Sequence, residues 1–267
     1  EGVIRNTGIE YSITLVPIKV NSIQWNTSIN LSTLQNKIET LPSDNVSGRY
    51  IDREGYAYQS WYLAEWAGID KETGEPMWYN VDENGEKTLT KDFDEATRQI
   101  CGNKLPHYYG NFRNEFNVKN LTISALFSFG WDFNVFDYDG ALITQDDGYS
   151  RKRNKERVLL DNWRPDNTDS NNPILIAGYR NGSNYSTRYL YKGDYLKLRN
   201  VTISYDLSRN PLNKLGLQSA SLYIQANNLF ILTHMPNFDP ESKDDGRRRT
   251  YDYPTTRSFN VGIKIGF

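Results

Sequence analysis

Acidic side chains crowd residues 82–95, among them Asp82, Glu83, Glu86, Asp92, Asp94 and Glu95. A glycosidase pair would need two carboxyls about 5–10 Å apart across a cleft. It would also need an enclosure that raises one acid toward neutrality. Nothing in the sequence supplies either, so the stretch reads as a solvated loop. Asp82-Glu83-Asn84-Gly85-Glu86-Lys87 has the look of a calcium loop, but a loop of EF-hand type wants Gly at its sixth position, where Lys87 stands. Asn84-Gly85 instead favours a tight hairpin turn. Cys101 is the single cysteine, with no neighbouring base to make it a nucleophile, and His107 and His234 lie far apart. A zinc site on His and Cys is therefore not expected. There is no GxSxG, P-loop or GxGxxG, hence no catalytic or cofactor motif. The basic runs Arg151-Lys152-Arg153-Asn154-Lys155-Glu156-Arg157 and Arg247-Arg248-Arg249 could meet phosphates. The first leads into Val158–Pro165, which reads as a short helix stopped by Pro165, and a solvated face is the simpler reading. A net charge of −2 gives no general pull toward nucleic acid.

The aromatics outside the periodic segments are more suggestive. Trp61, Tyr62, Trp66, Trp78, Tyr79, Tyr149, Trp163 and Tyr185 are many for plain loops. Aromatic faces stack on sugars and anchor protein partners. The candidate contact residues are Trp61, Trp66, Trp78, Tyr79, Tyr149, Trp163 and Tyr185. The competing use is an interfacial girdle at a membrane surface.

The elements that must position them are strands. Phe259, Val261, Ile263, Ile265 and Phe267 alternate with polar residues and glycines. So do Leu222, Ile224 and Ala226, with Phe230 in phase. The same holds for Leu121 through Trp131, for Ile23, Trp25, Ile29 and Leu31, and for Ile9 through Leu15 before Pro17. Period-2 alternation over ten or so residues marks strands with one apolar face. One segment slips phase: Leu196 and Leu198 give way to Val201, Ile203 and Tyr205, which predicts a β-bulge at Arg199-Asn200. The polar faces carry Ser, Thr, Asn, Gln and Gly more than Lys and Glu, unlike the charged outer faces of a soluble sandwich. Strands of about 9–11 residues suit a tilted bilayer crossing. Short connections are expected at 17–21, 117–120 and 208–218, and long ones at 138–194 and 234–257. Residues 41–106 must hold either no crossing or two; the preferred reading is one outside excursion with an extra strand pair near 56–68.

Composition agrees. The 267 residues are 37% hydrophobic, and exchanging the 19 Tyr for the 19 Gly leaves that figure unchanged. Soluble domains sit near 45–50% on that count, yet 13% of this chain is aromatic, which disordered chains are not. No apolar run is long enough for a transmembrane helix, and Glu1-Gly2-Val3-Ile4-Arg5 has no leader pattern.

Specific segments resemble the SusC/RagA family of TonB-dependent outer-membrane transporters. GDYLKLRNVTISYDLSRNPLNKLGLQSASLYIQANNLFILT and the closing YPTTRSFNVGIKIGF are similar to that family's last strands. The matching positions are Tyr195 to Asn200, Tyr223, Asn228-Leu229-Phe230, Thr233, Tyr253-Pro254, Arg257 and Phe267. NTGIEYSITLVPIKVNSIQWNTSINLS, EWAGIDKETGEPMWY and LPHYYGNFRNEFNVKNLTISALFSFGWDFN also resemble family segments. A departure is Leu207-Ser208, where the family often has Leu-Pro. The resemblance implies an all-β chain in which 1–267 is the C-terminal portion of an antiparallel transmembrane barrel of about 22 strands. About seven to nine of those strands would lie here, with the plug domain and N-terminal strands elsewhere. It implies residence in the outer membrane of a Gram-negative bacterium. It implies TonB-dependent import of an oligomeric nutrient, glycan or peptide, and no enzyme activity. The partners implied are a SusD-like surface lipoprotein, TonB through the absent plug, the remainder of the barrel and outer-membrane lipid. Phe259, Ile263, Ile265 and Phe267 would then form a barrel-assembly signal. Two other readings stay open: a passive outer-membrane barrel or adhesin, and a soluble β-rich module.

Overall fold

The computed structural model describes residues 2–143, 157–176, 184–208, 212, 216–236, 239–241, 247–248 and 255–267. Its main body is one seven-stranded sheet. The strands are Glu10–Val20, Ile23–Thr33, Tyr108–Val118, Leu121–Trp131, Tyr195–Asp206, Ser219–Thr233 and Ser258–Gly266, each antiparallel to the next in that order. Among the described residues the fold is all-β apart from a short α-helix, Tyr138–Ile143, a helical residue at Leu212, and 3-10 turns such as Arg157–Asp161, where the sequence predicts a short helix.

The register explains the alternation. Ile18, Trp25, Phe116, Ile123, Ile203, Ile224 and Val261 stand side by side across all seven strands. One residue along, Asn26, Glu115, Ser124, Thr202, Gln225 and Asn260 form a row on the other face. A one-residue slip would exchange the two faces entirely. The apolar face stays open: Val261 is 79% exposed and Phe259 69%. Burial of such side chains is worth about 1.5–3 kcal/mol each, and no described residue provides it. Tyr11, Tyr108 and Trp131 sit exposed at one end of this face.

The bulge lies where the phase slips. Leu126 faces Asn200 and Phe127 faces Leu198, so Arg199 is the extra residue. On the other side Leu198 faces Phe230 and Asn200 faces Asn227. Asn228 absorbs the distortion at φ 53°, a left-handed conformation that Asn tolerates better than most residues. The consequence is that Arg199 and Asn200 both turn to the polar face.

Two connections are shorter than the sequence suggests. The strand continues through Pro17 to Val20, and the turn is Asn21-Ser22 alone; the second turn is Lys119-Asn120. Pro17 is tolerated because it falls at a register shift between Leu15 and Ile18, where the ladder is already interrupted and a missing N–H costs little. Asn21 and Lys119 take φ 49° and 53°. These turns share one end with Leu207, Gln218 and Phe267, where the Gln218 N–H donates to the Gly266 carbonyl at 2.9 Å.

The excursion between Thr33 and Tyr108 contains no crossing, because Ile23–Thr33 pairs directly with Tyr108–Val118. It does not hold a strand pair confined to 56–68. Ser60–Ala64 pairs with Tyr50–Asp52 and Arg98–Gly102, whereas Trp66–Ile69 pairs with Pro76–Val81. Asn84-Gly85 does turn a hairpin, between Pro76–Val81 and Lys87–Thr90, with Gly85 at φ 83°. The first hairpin also runs on beyond the sheet: Val3–Thr7 pairs with Gln35–Thr40, and from Thr7 to Ile4 it keeps the register set by Glu10 opposite Ser32.

Candidate functional site

The described parts of the long connections gather at one end and build a core of their own. Trp61, Leu63, Phe136, Ala141 and Tyr189 form its centre. Phe133, Val135 and Met235 form a second cluster. The segment Asn134–Asp137 links the two and pairs with Leu190–Lys192 and, in parallel, with Arg247–Arg248.

The candidate aromatics divide on this ground. Trp61 has no exposed surface; its indole N–H donates to the Asn134 carbonyl at 3.1 Å, and its ring lies 4.6 Å from Tyr50 and 5.7 Å from Phe136. Trp78 is equally buried, edge-on to Trp66 and Phe93 at 5.7 and 5.2 Å. Trp163 is buried over Gly74 and donates to the Lys71 carbonyl at 3.0 Å. A Cβ on Gly74 would come within 2.5 Å of that ring. These three tryptophans are core residues of the loop assembly and have no face to offer a ligand, which corrects their expected contact role. Trp66, Tyr79 and Tyr185 remain half-buried. Each carries a cation: Arg188 lies 4.9 Å from the Trp66 ring, Lys87 5.0 Å from Tyr79 and Arg49 3.7 Å from Tyr185. Burial pushes the Tyr185 hydroxyl above its ordinary range, and a hydrogen bond with Tyr138 adds to the effect. Tyr149 lies outside the described residues, as do 151–156, Arg249 and Tyr253-Pro254.

The acidic stretch is a set of turn-makers. Asp82 accepts from the N–H groups of Asn84 and Glu86 at 2.9 and 2.8 Å, and those bonds hold its carboxyl below the usual range. Asp92 caps the 3-10 turn Phe93–Glu95. Asp70 and Glu75 grip Lys91 at 2.5 and 2.7 Å. The Lys91 ammonium, helped by the Glu72 N–H, draws Asp70 down to about 2. A catalytic acid needs the opposite shift. The Cys101 thiol lies against the Gln99 and Leu63 carbonyls and is pushed up by burial. Among the described residues no group of three His, Cys, Asp or Glu has the geometry for a metal.

The polar face of the sheet holds what residue spacing alone does not reveal. Lys197, 3% exposed, pairs with Asp239 at 2.5 Å and Glu241 at 3.3 Å. Arg199, turned inward by the bulge, donates to Ser128 Oγ at 2.7 Å and pairs with Glu241. The Thr255 hydroxyl also donates to Asp239, at 3.1 Å. The base of the connection leaving Thr233 is therefore bound to the wall. The one sequence feature pointing there was the phase slip that announced the bulge. Elsewhere the face is mainly amides and hydroxyls bonded to each other, as in Asn30 to Asn111 at 3.1 Å and Asn200 to Asn227 at 2.8 Å, with the ion pair of Arg113 and Glu115 at 2.9 Å among them.

An open antiparallel wall with one apolar and one polar side, short turns below and a folded loop assembly above is a piece of a large β-barrel. No protein-family model matches the chain. It is similar over its whole length to TonB-dependent receptor P3 of Formosa agariphila, at 27% identity. The TonB-dependent receptor SusC of Bacteroides thetaiotaomicron is 23% identical, again over the full chain. The solved RagAB peptide transporter superposes with a TM-score of 0.87 at 27% identity, and its open-open state with 0.84 at 25%, both covering the whole chain. The chain spans 29% and 27% of the two relatives' lengths and 30% and 29% of the two solved chains. The likeness to SusC/RagA transporters read from the terminal motifs thus holds along all 267 residues.

Proposed function

We propose that this chain forms the C-terminal wall and outer loops of an outer-membrane, TonB-dependent importer of the SusC/RagA kind. Its cargo is an oligomeric nutrient, glycan or peptide. The observation that carries the reading is the seven-residue apolar row, open to its surroundings and backed by a polar row, on a wall similar throughout to such transporters. Lipid covers the first row and the water-filled interior meets the second. Strands with unpaired edges in a membrane require closure, so the remainder of the barrel and the plug come from residues outside this chain. The short turns face the periplasm, with TonB acting through the plug. The long connections face outward beneath a SusD-like lipoprotein, where Trp66, Tyr79 and Tyr185 provide contact surface. Phe259, Ile263, Ile265 and Phe267 serve barrel assembly. The chain performs no covalent chemistry and engages no nucleic acid.

The test is energised uptake. Gram-negative cells producing the full-length protein are given labelled oligosaccharide and peptide pools, with and without a protonophore. Uptake that depends on the full-length protein and collapses with the proton gradient is expected. Uptake that persists without the gradient would make the protein a passive barrel, and surface binding without uptake would make it an adhesin.

A further inference from the structure

Where the first hairpin leaves the sheet, a cavity of about 300 Å³ opens between Gln35-Asn36, the loop Gly55–Ser60 and the segment Gly102–His107. That volume is at the small end of ligand sites, which run about 300–1,000 Å³, so it takes one unit of an oligomer. Asn36 lies opposite Asn6 in the register that places Asn30 and Ser32 on the polar face. The cavity is therefore continuous with the polar side of the wall.

Its frame is fixed by backbone. The Ile38 N–H donates to the Tyr56 carbonyl at 2.8 Å, the Tyr58 N–H to Asn36 Oδ1 at 2.7 Å and the Leu34 N–H to the His107 carbonyl at 2.8 Å. The Asn134 N–H donates to the Asn103 carbonyl at 2.7 Å. Gly102 sits at φ 137°, and a Cβ there would meet Asn134 Oδ1 at 2.0 Å. A frame held this way is organised before any ligand arrives, which removes an ordering cost from binding.

The lining chemistry is specific. Tyr56 and Tyr58 expose 47% and 40% of their surface. The side chains of Gln35, Asn103 and His107 and the Tyr56 hydroxyl make no hydrogen bond within the described residues. The amides bring donors and acceptors in equal measure, and the rings bring flat apolar faces. No carboxylate lines the cavity, and the one ammonium, Lys104, is already taken by Gln59 Oε1 at 2.5 Å. Cationic cargo would find no carboxylate, and the Lys104 ammonium is the one charge in the lining; a hydroxyl-rich ring with one apolar face would find hydrogen-bonding partners at its edges and a ring to stack on.

We infer that this cavity is a carbohydrate subsite, in which Tyr56 and Tyr58 stack on a single neutral pyranose and Gln35, Asn103 and His107 hydrogen-bond its hydroxyls. The inference rests on the transporter reading for its cargo. Its experiment does not, because equilibrium binding needs neither TonB nor a gradient.

The purified full-length protein in detergent is titrated calorimetrically with maltotetraose, cellotetraose and mannotetraose, and separately with tetra-alanine. At least one tetraose is expected to bind. Tyr56→Ala and Asn103→Ala should each weaken it about tenfold or more, Tyr56→Phe should retain most of the affinity, and Glu83→Ala at the distant hairpin tip should change nothing. Heat-modifiable gel migration confirms that each variant is folded. Binding by tetra-alanine but by no tetraose would overturn the inference in favour of a peptide subsite. Tetraose binding indifferent to Tyr56→Ala and Asn103→Ala, or no binding by any probe, would also overturn it. Protonophore-sensitive uptake in cells alongside such a failure would leave the transporter reading standing and remove only this site.

Discussion

Lys197→Met probes the ion cluster that binds the connection after Thr233 to the wall. Lys197 keeps only 4% of its side chain exposed and Asp239 19%. The substitution preserves the aliphatic stem and deletes the ammonium, which leaves Asp239 with the Thr255 hydroxyl and Glu241 with Arg199. Breaking a fully buried pair costs about 3–5 kcal/mol through the stranded charge. Here both carboxylates retain a partner and some water, so the local penalty should be about 2–3 kcal/mol. At 1.36 kcal/mol per decade that is a 30- to 160-fold rise in the opening of this segment. Hydrogen exchange of peptides covering 231–241 in the full-length protein reads it directly. Adding Asp239→Leu should recover most of the protection, because removing both members of a buried pair is far cheaper than removing one. Unchanged exchange in Lys197→Met, or a double variant opened further than the single one, would refute the argument that this cluster fastens the connection.

Three other outcomes follow from the same geometry. Gly102→Ala forces a Cβ into Asn134 Oδ1 at a φ of 137° and should cost the loop assembly about 1–3 kcal/mol, seen as faster exchange across 98–102 with the sheet unaffected. The Asp70 carboxyl is depressed to about 2, so its contribution is complete above the unfolded value near 3.8 and disappears as pH falls through about 2. Pepsin cleavage within 70–91 should therefore rise between pH 4 and 2 and should already be high at pH 4 in Asp70→Asn; identical profiles would contradict the assignment. Phe267→Gln should lower the amount of full-length protein assembled in the outer membrane without changing its synthesis, measured by fractionation and heat-modifiable migration.

The wall was legible because its strands are long. Alternation over ten residues, as from Leu121 to Trp131, fixes both faces, and the slip after Leu198 exposed the bulge with no other information. The excursion was not legible for the converse reason. Strands such as Tyr50–Asp52 and Trp66–Ile69 span three and four residues, too few to show a period, and their pairing is set by contacts distant in sequence. The aromatics misled because burial and ligand contact ask for the same chemistry. Trp61, Trp78 and Trp163 went to the core, and no local feature separates them from Trp66. Pro17 looked like a strand end, yet an interruption of the ladder has no use for the hydrogen bond that proline lacks. The ion cluster joins Lys197 to Asp239 across 42 positions, a pairing that only the folded chain reveals.

The first hairpin keeps one register from Leu15 back to Ile4, so the rim of the wall is not a joint. At about 3.4 Å per residue, the six residues Gln35–Thr40 reach about 20 Å beyond Thr33. They act as a free arm, continuing the strand Ile23–Thr33 embedded in the wall, that carries Asn36 and Ile38 against the loop at Gly55 and Tyr56. A tilt of the wall by about 5° would move the far end of that arm by about 2 Å. In the proposed barrel, small changes in the cross-section of the wall would therefore arrive at the mouth as displacements large enough to make or break a hydrogen bond.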